Sequence, residues 1–389
     1  MQSNTLETQS QPAPNRTATG VFILADDLTG ACDSGAAFFT TGRAVRVMLD
    51  VPNSVLLSSL DGCTEPVLAF ATEIRNMTQE QAAEFAARMT RLLRSASSSH
   101  IIFNKVDSAA RGHLAAQTLA ALEVSGAALA MVAPAFPQAG RTVHAGLLNV
   151  RDAAAQNTTI PLRDLFASVD ATQIETLATG TIPVLEQGIA RALANRVRVL
   201  LCDALTQTDL ERLATAASRI SPQILWTGSA GLARALAVVL PQLPPSELIH
   251  PMHRDGRTLL FVGTDHPVSA LQVSYLEQRS GVSDSAIYRL HSDAPSPQDI
   301  CAAFNDAPTA ALVLTGGDTA AFVLRALSAT SILLAGEIAP GIPWGVIQGG
   351  DADGCIVITK SGGFGRHDTL ADAFDFCQRI DHRRACASA

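Results

Sequence analysis

VFILADDLTGACDSG (21–35) decides the fold. Five uncharged residues end on two carboxylates, Asp26 and Asp27; a hydroxyl and a glycine follow, and small residues then continue in a helical pattern. An apolar run this short, closed by a polar turn, reads as a buried strand. Asp27 stands where a helix N-cap belongs. Strand, polar turn and helix make the repeating unit of a parallel sheet, and the turn falls at the strand's carboxyl end, where such sheets bind ligands.

The same pattern recurs along the chain. VLAFA (67–71), HIIFN (100–104), ALAMVA (128–133) and VRVLLC (197–202) are further strand candidates of a first sheet. TLLFV (258–262), AIYRL (286–290), AALVLT (310–315), GVIQG (345–349) and CIVIT (355–359) suggest a second. Between them lies PQLPPSELIHPMH (241–253), rich in proline and poor in periodicity. The prediction is an α/β protein of two α/β domains, residues 20–245 and 255–389, each with a largely parallel central sheet. Residues 1–19 lack the apolar stretch of a signal peptide and read as a disordered leader. Apolar runs pass directly into KVDS (105–108), GSAG (228–231), GTDHP (263–267), GGDT (316–319) and KSGGFG (360–365), so loops of both halves can face one inter-domain cleft.

Composition narrows the function. With 389 residues, 47% hydrophobic and 16% charged, the chain is globular and long enough for two cores. It has no run of 18 uncharged apolar residues that would read as a membrane span. A net charge of −8 without a Lys/Arg block argues against a nucleic-acid partner. Any bound anion must therefore meet local donors. Seven cysteines (Cys32, Cys63, Cys202, Cys301, Cys355, Cys377, Cys386) are scattered without a CxxC pair, which indicates neither zinc nor disulfides and fits a reducing cytoplasm.

Adjacent carboxylates at a strand end repel unless hydroxyls, a cation or backbone donors meet them, so Asp26 and Asp27 suggest a polyol ligand. The plainer reading is that Asp27 only caps a helix. KVDSAARGH (105–113) supplies Lys105, Val106, Asp107, Ser108 and Arg111 directly after a strand. Lys105 and Arg111 suit an acid's carboxylate, Asp107 can accept a hydroxyl proton, and Ser108 can cap the next helix. A surface turn is the alternative. Arg75 in ATEIRN (71–76) is a third carboxylate anchor, or an ordinary surface arginine.

GGDTAAF (316–322) and KSGGFGRHDTL (360–370) each set adjacent glycines between strand and helix, placing Gly316, Gly317, Asp318, Thr319, Gly362 and Gly363 where backbone N–H groups can cradle an anion. Lys360 can add a point charge, and Thr264 lies in a third such loop. Neither segment matches the P-loop or the dinucleotide fingerprint. The residues alone therefore reach only an anion site, and a single Gly-Gly turn can be purely structural. His113, His144, His266 and His367 show no metal or catalytic spacing and read as ordinary polar residues, while Trp226 and Trp344 read as packing residues.

Taken in order, ADDLTGACDSG, ATEIR, KVDSAARGH, PAFPQAGRTV (134–143), GSAGLARALA (228–237), GGDTA and KSGGFG resemble the four-carbon acid sugar kinase family, over roughly residues 20–375. The resemblance implies a sugar-acid-binding N-terminal domain, a nucleotide-binding C-terminal domain, and ATP- and Mg²⁺-dependent phosphorylation of a terminal hydroxyl on a four-carbon acid such as threonate, erythronate or 3-oxo-tetronate. By motif, Asp26, Arg75 and Lys105 to Ser108 are implied substrate contacts, and Gly316 to Thr319 with Gly362 implied ATP contacts. GTDHPVSALQ (263–272) stands where the family usually has a Gly-Ser-Cys-Ser type loop, so Thr264 takes the serine's place. The stretch from that loop to GGDT is short for the family, and GLLNVRDAAAQNTTIPLRDL (146–165) lacks its usual acidic, Pro-containing ending.

The expected chemistry is in-line attack of the acid's hydroxyl on the γ-phosphate. Asp107 or Asp26 takes or positions the hydroxyl proton, and Lys105 with Arg75 holds the carboxylate. The sequence identifies no metal ligand, and it is compatible with a homodimer. The altered GTDHP loop motivates a second reading, a non-catalytic sugar-acid-binding regulator on the same fold. A lyase using the cleft on a bound phosphate ranks below both.

Overall fold

The computed structural model describes residues 20–50, 66–151, 157–221, 223–242, 255–279, 287–290 and 296–385. The expected leader and most of PQLPPSELIHPMH fall outside them. The chain opens with β1 (Val21–Ala25), α1 (Leu28–Phe39), β2 (Val45–Met48), β3 (Val67–Ala71), α2 (Gln79–Ala96), β4 (Ile101–Lys105), α3 (Leu114–Ser125) and β5 (Leu129–Ala133). A meander β6 (Arg141–His144), β7 (Leu147–Arg151), β8 (Asn157–Pro161) and a short α4 (Leu162–Leu165) lead to β9 (Ile174–Leu177), α5 (Ile182–Ala194), β10 (Val199–Cys202), α6 (Gln207–Ile220), β11 (Ile224–Gly228) and α7 (Ala230–Val239). The second half contains β12 (Arg257–Val262), α8 (Pro267–Glu277), β13 (Ile287–Arg289), α9 (Pro297–Asn305), β14 (Thr309–Thr315), α10 (Gly317–Ala326), β15 (Ser331–Ala339), β16 (Ile342–Gln348), β17 (Ile356–Lys360) and α11 (Thr369–Ala385).

Both parallel sets expected from the sequence are present. Strands β9, β10, β5, β11, β4, β1, β3 and β2 run parallel, as do β13, β12, β14 and β17. Every residue of β1, β3, β5, β11, β14 and β17 is buried, which is why these strands read as unbroken apolar runs: helices cover both faces of a parallel sheet. Unforeseen is how the sets join. The antiparallel hairpin β15–β16 pairs with β17 on one side and with β2 on the other, through Ser331 opposite Met48 and Leu333 opposite Arg46. The result is one 14-stranded sheet. GVIQG is accordingly the end of the antiparallel β16, not a strand of a parallel set. β15 escaped notice because Gly336 and Glu337 interrupt its apolar run at two register shifts.

Helix α1 sits where the two halves meet. Leu28 through Phe38 are all buried, Asp33 among them. Small residues permit this depth. A Cβ on Gly35 would stand 2.9 Å from both Leu334 of β15 and Val45 of β2. The three-stranded sheet β6–β7–β8 is tied to the end of β10 by Asp203, whose carboxylate accepts the backbone N–H groups of Ala145 (2.7 Å) and Gly146 (2.9 Å). That anchor brings the preceding segment, Phe136 to Arg141, toward the carboxyl ends of the strands.

Candidate active site

A cavity of ≈ 360 Å³ opens where the loops after β1, β4, β12, β14 and β17 converge. One wall carries charged side chains. Asp27, Arg75, Lys105, Asp107, Ser108 and Arg111, all singled out from the sequence, line it. Asp26 and Val106 do not, because both point into the interior behind it.

Asp26 organises this wall from behind. Its Oδ2 accepts Nε (3.2 Å) and Nη2 (2.9 Å) of Arg75 and the backbone N–H of Asp107 (3.1 Å), and its Oδ1 accepts Lys105 Nζ at 3.4 Å. Arg75, far from being an ordinary surface residue, also reaches Asp27 (3.4 Å) and Asp107 (3.3 Å). Asp107 is held further by Nε (3.0 Å) and Nη2 (2.6 Å) of Arg111, a bidentate pair of the kind guanidinium geometry favours. Its Oδ1 also takes the N–H of Ala109, so Asp107 closes the turn. Ser108 caps no helix: α3 begins only at Leu114, with His113 at the N-cap position.

Burial raises all three carboxyls, and the neighbours decide the outcome for each. Asp26 ends above its ordinary value, because burial and the adjacent Asp27 charge outweigh Lys105 and Arg75. Asp27 ends below, because burial is overcome by Lys105, Arg75 and the Thr29 hydroxyl. Asp107 is also held down, because burial is outweighed by Arg111, Arg75 and Lys105 together. Asp27 keeps its capping role as well, accepting Gly30 N–H at 3.0 Å and Thr29 Oγ1 at 2.7 Å. The two readings of Asp27 from sequence are therefore compatible.

The opposite wall is mostly backbone. Gly316, Gly317, Asp318, Thr319, Gly362 and Gly363 line it together with Thr264, as the sequence suggested. The loops pack too tightly for side chains. A Cβ on Gly362 would lie 2.5 Å from Thr264 Oγ1, and one on Gly363 would lie 2.9 Å from His266 Nε2. The walls touch at Gly317, the first residue of α10, where a Cβ would come within 2.6 Å of Asp27 Oδ2.

Lys360 adds no point charge to this wall. It is buried beneath the loop, and its ammonium donates to the carbonyls of Ser361 (2.9 Å), Gly362 (3.2 Å) and Phe364 (3.2 Å) and to Ser269 Oγ (3.2 Å). In a trans peptide the C=O and the next N–H point in opposite directions. Drawing the Ser361 and Gly362 carbonyls onto Nζ therefore turns the N–H groups of Gly362 and Gly363 the other way, as an anion cradle requires. Burial pushes the Lys360 ammonium down to about 7.

The cavity also has residues that sequence reasoning passed over. His266, taken as an ordinary polar residue, lines it while Nδ1 accepts the N–H of Val268 at 3.3 Å to cap α8. Phe136 and Arg141 arrive from PAFPQAGRTV and pack on Phe364 of the glycine loop, Phe136 edge-on at 5.6 Å and the Arg141 guanidinium over the ring at 5.6 Å. Asp33 lines the cavity as well. Its signal was present in spacing, since it lies four residues after Thr29 and three after Gly30 on one helix face.

The backbone wall offers glycine N–H groups and the hydroxyls of Thr264 and Thr319, a donor set of the kind that phosphates take. Among the described residues no group of three or more His, Cys, Asp or Glu is arranged to hold a metal. Mg²⁺ needs only one or two carboxylates when phosphates supply the rest, and Asp27 and Asp318 are available on the two walls. Also among the described residues, no helix is long and apolar enough to cross a membrane.

A wall of paired charges thus stands opposite a wall of backbone and hydroxyls in one cavity. A family model described as a sugar-binding N-terminal domain matches residues 21–236, and one described as a nucleotide-binding C-terminal domain matches 172–370. Over nearly their full lengths the chain is similar to a D-threonate kinase of Bordetella bronchiseptica (30% identity, 93% of this chain and 98% of that one) and a D-erythronate kinase of Heliobacterium modesticaldum (26%, 92% and 97%). It is also similar to a 3-oxo-tetronate kinase of Pseudomonas fluorescens (24%, 90% and 95%). Crystal structures of a Haemophilus influenzae protein (TM-score 0.65, 19% identity, 93% of this chain and 100% of that one) and a Salmonella typhimurium protein (0.69, 19%, 91% and 98%) share the fold. The chain belongs to the four-carbon acid sugar kinase family, and it is an enzyme of the kinase class.

Proposed function

We propose that this kinase transfers the γ-phosphoryl group of ATP, with Mg²⁺, to the terminal hydroxyl of a small four-carbon sugar acid such as threonate, erythronate or 3-oxo-tetronate, in the cytoplasm. Residues 20–245 form the acid-binding unit and 255–389 the nucleotide-binding unit. The observation that carries the reading is the meeting of Asp27 Oδ2 with Gly317, where an ion-paired wall and a glycine wall share one cavity.

Lys105 and Arg75 draw in the acid's carboxylate, while Ser108 and Asp107 meet its hydroxyls. Asp26 keeps Arg75 and the Asp107 backbone in register and contacts no ligand itself. Asp27, nearest the glycine wall, orients the attacking hydroxyl. The N–H groups of Gly362 and Gly363, with Thr264 and Thr319, hold the phosphates. Asp27 and Asp318 are the residues that would hold Mg²⁺, which would supply neutralisation of the charge on the transferred group. Catalysis in this class is mainly positioning and charge neutralisation, which suits a site with so many fixed donors. Thr264 keeps a hydroxyl at the cavity, which supports the kinase over a non-catalytic regulator.

Purified protein with ATP, Mg²⁺ and a panel of tetronates in an ADP-release assay tests the proposal. Turnover with at least one four-carbon acid is expected. Acid binding with no ADP release would replace it with the regulator reading.

A further inference from the structure

Asp33 is a buried carboxylate at the cavity to which the mechanism above assigns nothing. It projects from α1 on the same face as Thr29 and Gly30, one turn further along, and its side chain is only 8% exposed. Arg234 Nη2 of α7 donates to its Oδ1 at 3.0 Å. The same guanidinium grips Glu337 of β15 bidentately, with Nη1 2.9 Å from Oε2. Glu337 in turn accepts the N–H of Gly341 at 3.2 Å, and Gly341 lines the cavity against Phe364. Asp33 is thus clamped from α7 and, through Arg234, from the β15–β16 hairpin.

The clamp engages one oxygen only. Oδ2 faces the Gly341 side of the cavity, 3.8 Å from where a Cβ on that glycine would stand. The charged groups around Asp33 are Arg234, Glu337 and Lys105. Asp27 and Asp107 face the same cavity, but both oxygens of each already accept a hydrogen bond. A carboxylate held rigidly by one oxygen, with the other turned to a polar cavity, is built to accept a hydroxyl. An additional structural anchor would not need to border the cavity.

We propose that Asp33 is a specificity-determining residue of the acceptor site: its Oδ2 accepts a hydrogen bond from a hydroxyl of the sugar acid, and the Arg234–Glu337 clamp fixes its position. This rests on the reading of the cavity as a sugar-acid site. Buried groups that require a hydroxyl partner reject analogues lacking it far more strongly than apolar pockets reject a missing methylene. Asp33 therefore reads one hydroxyl position of the acid.

The test compares a tetronate accepted by the protein with its monodeoxy analogues, by ADP-release kinetics and, without ATP, by calorimetry. Wild type is expected to reject one deoxy analogue. Asp33→Asn should weaken the hydroxylated acid ~10-fold or more while leaving that analogue and the KM for ATP nearly unchanged, because a hydrogen bond to a charged group is the contribution removed. An equal loss for the acid and all its deoxy analogues, or a loss confined to ATP, overturns the assignment. If Asp33→Asn does not fold, Glu337→Gln loosens the clamp; partial loss of the same discrimination supports the proposal and unchanged discrimination overturns it. Acid binding with this discrimination but no ADP release overturns the kinase reading and leaves the Asp33 contact standing. Binding without discrimination overturns the contact alone, and no binding of any acid overturns both.

Discussion

The two walls of the cavity are built by opposite means. The acceptor wall relies on side chains: Asp26, Asp27 and Asp107 are balanced by Arg75, Lys105 and Arg111 within a few ångströms. The phosphate wall relies on main chain shaped from below by Lys360, a buried cation that touches carbonyls and no carboxylate. On the proposed function, the first wall would select by matching charges and hydroxyls at particular places. Backbone N–H groups such as those of the second wall recognise anions and little else. A protein with a net charge of −8 can hold a polyanion only by such local means.

The contrast breaks most visibly at Arg75. Arg75→Ala leaves three buried carboxylates short of a partner, and an unfolding loss of ~3–5 kcal/mol in urea titration is expected for removing one member of a buried ionic network. A loss below ~1 kcal/mol, the range of an exposed pair, would show that the wall does not depend on its ion pairs.

Next comes the contact between the walls. Gly317→Ala adds a Cβ 2.6 Å from Asp27 Oδ2, so the carboxylate or the helix start must shift. Because small displacements from reactive geometry are costly, kcat/KM should fall ~100-fold with the unfolding midpoint little changed. Unaltered kinetics would mean that the walls meet without needing this approach.

The smallest effect sharpens the phosphate wall. Lys360→Met should raise the KM for ATP ~10-fold and leave the KM for the acid unchanged, as expected when charge-assisted hydrogen bonds orienting a loop are removed. It has a pH signature too. Burial lowers the Lys360 pKa from 10.5 to about 7, so between those values the unfolded chain binds the extra proton and wild-type stability rises with pH. The variant should lose that rise in melting curves between pH 7 and 10. A retained rise would assign it to another group.

Legibility from sequence followed the same division. Charged residues after strands were readable because unlike charges clustered in a short loop imply mutual pairing, and Asp27, Arg75, Lys105, Asp107, Ser108 and Arg111 all line the cavity. Asp26 was readable as important but not as hidden, because strand alternation decides which of two adjacent carboxylates faces inward. Lys360 was misread as a free charge, since no local pattern tells whether a lysine at a strand end turns out to the cleft or under the loop. Phe136 and Arg141, His266, and Asp33 arrive from three separate segments, and only packing brings them together.

The sequence by itself determined the local units: short apolar strands, polar turns at their carboxyl ends, adjacent glycines between strand and helix, and the motifs that mark the family. These are set by interactions among neighbours in the chain. Tertiary structure alone decided that a β15–β16 hairpin and β2 join the parallel sets into one sheet, that α1 lies buried between them, and that Asp27 meets Gly317. Those outcomes depend on which surfaces bury one another across 200 to 300 residues of chain, a competition among distant contacts that no local pattern records.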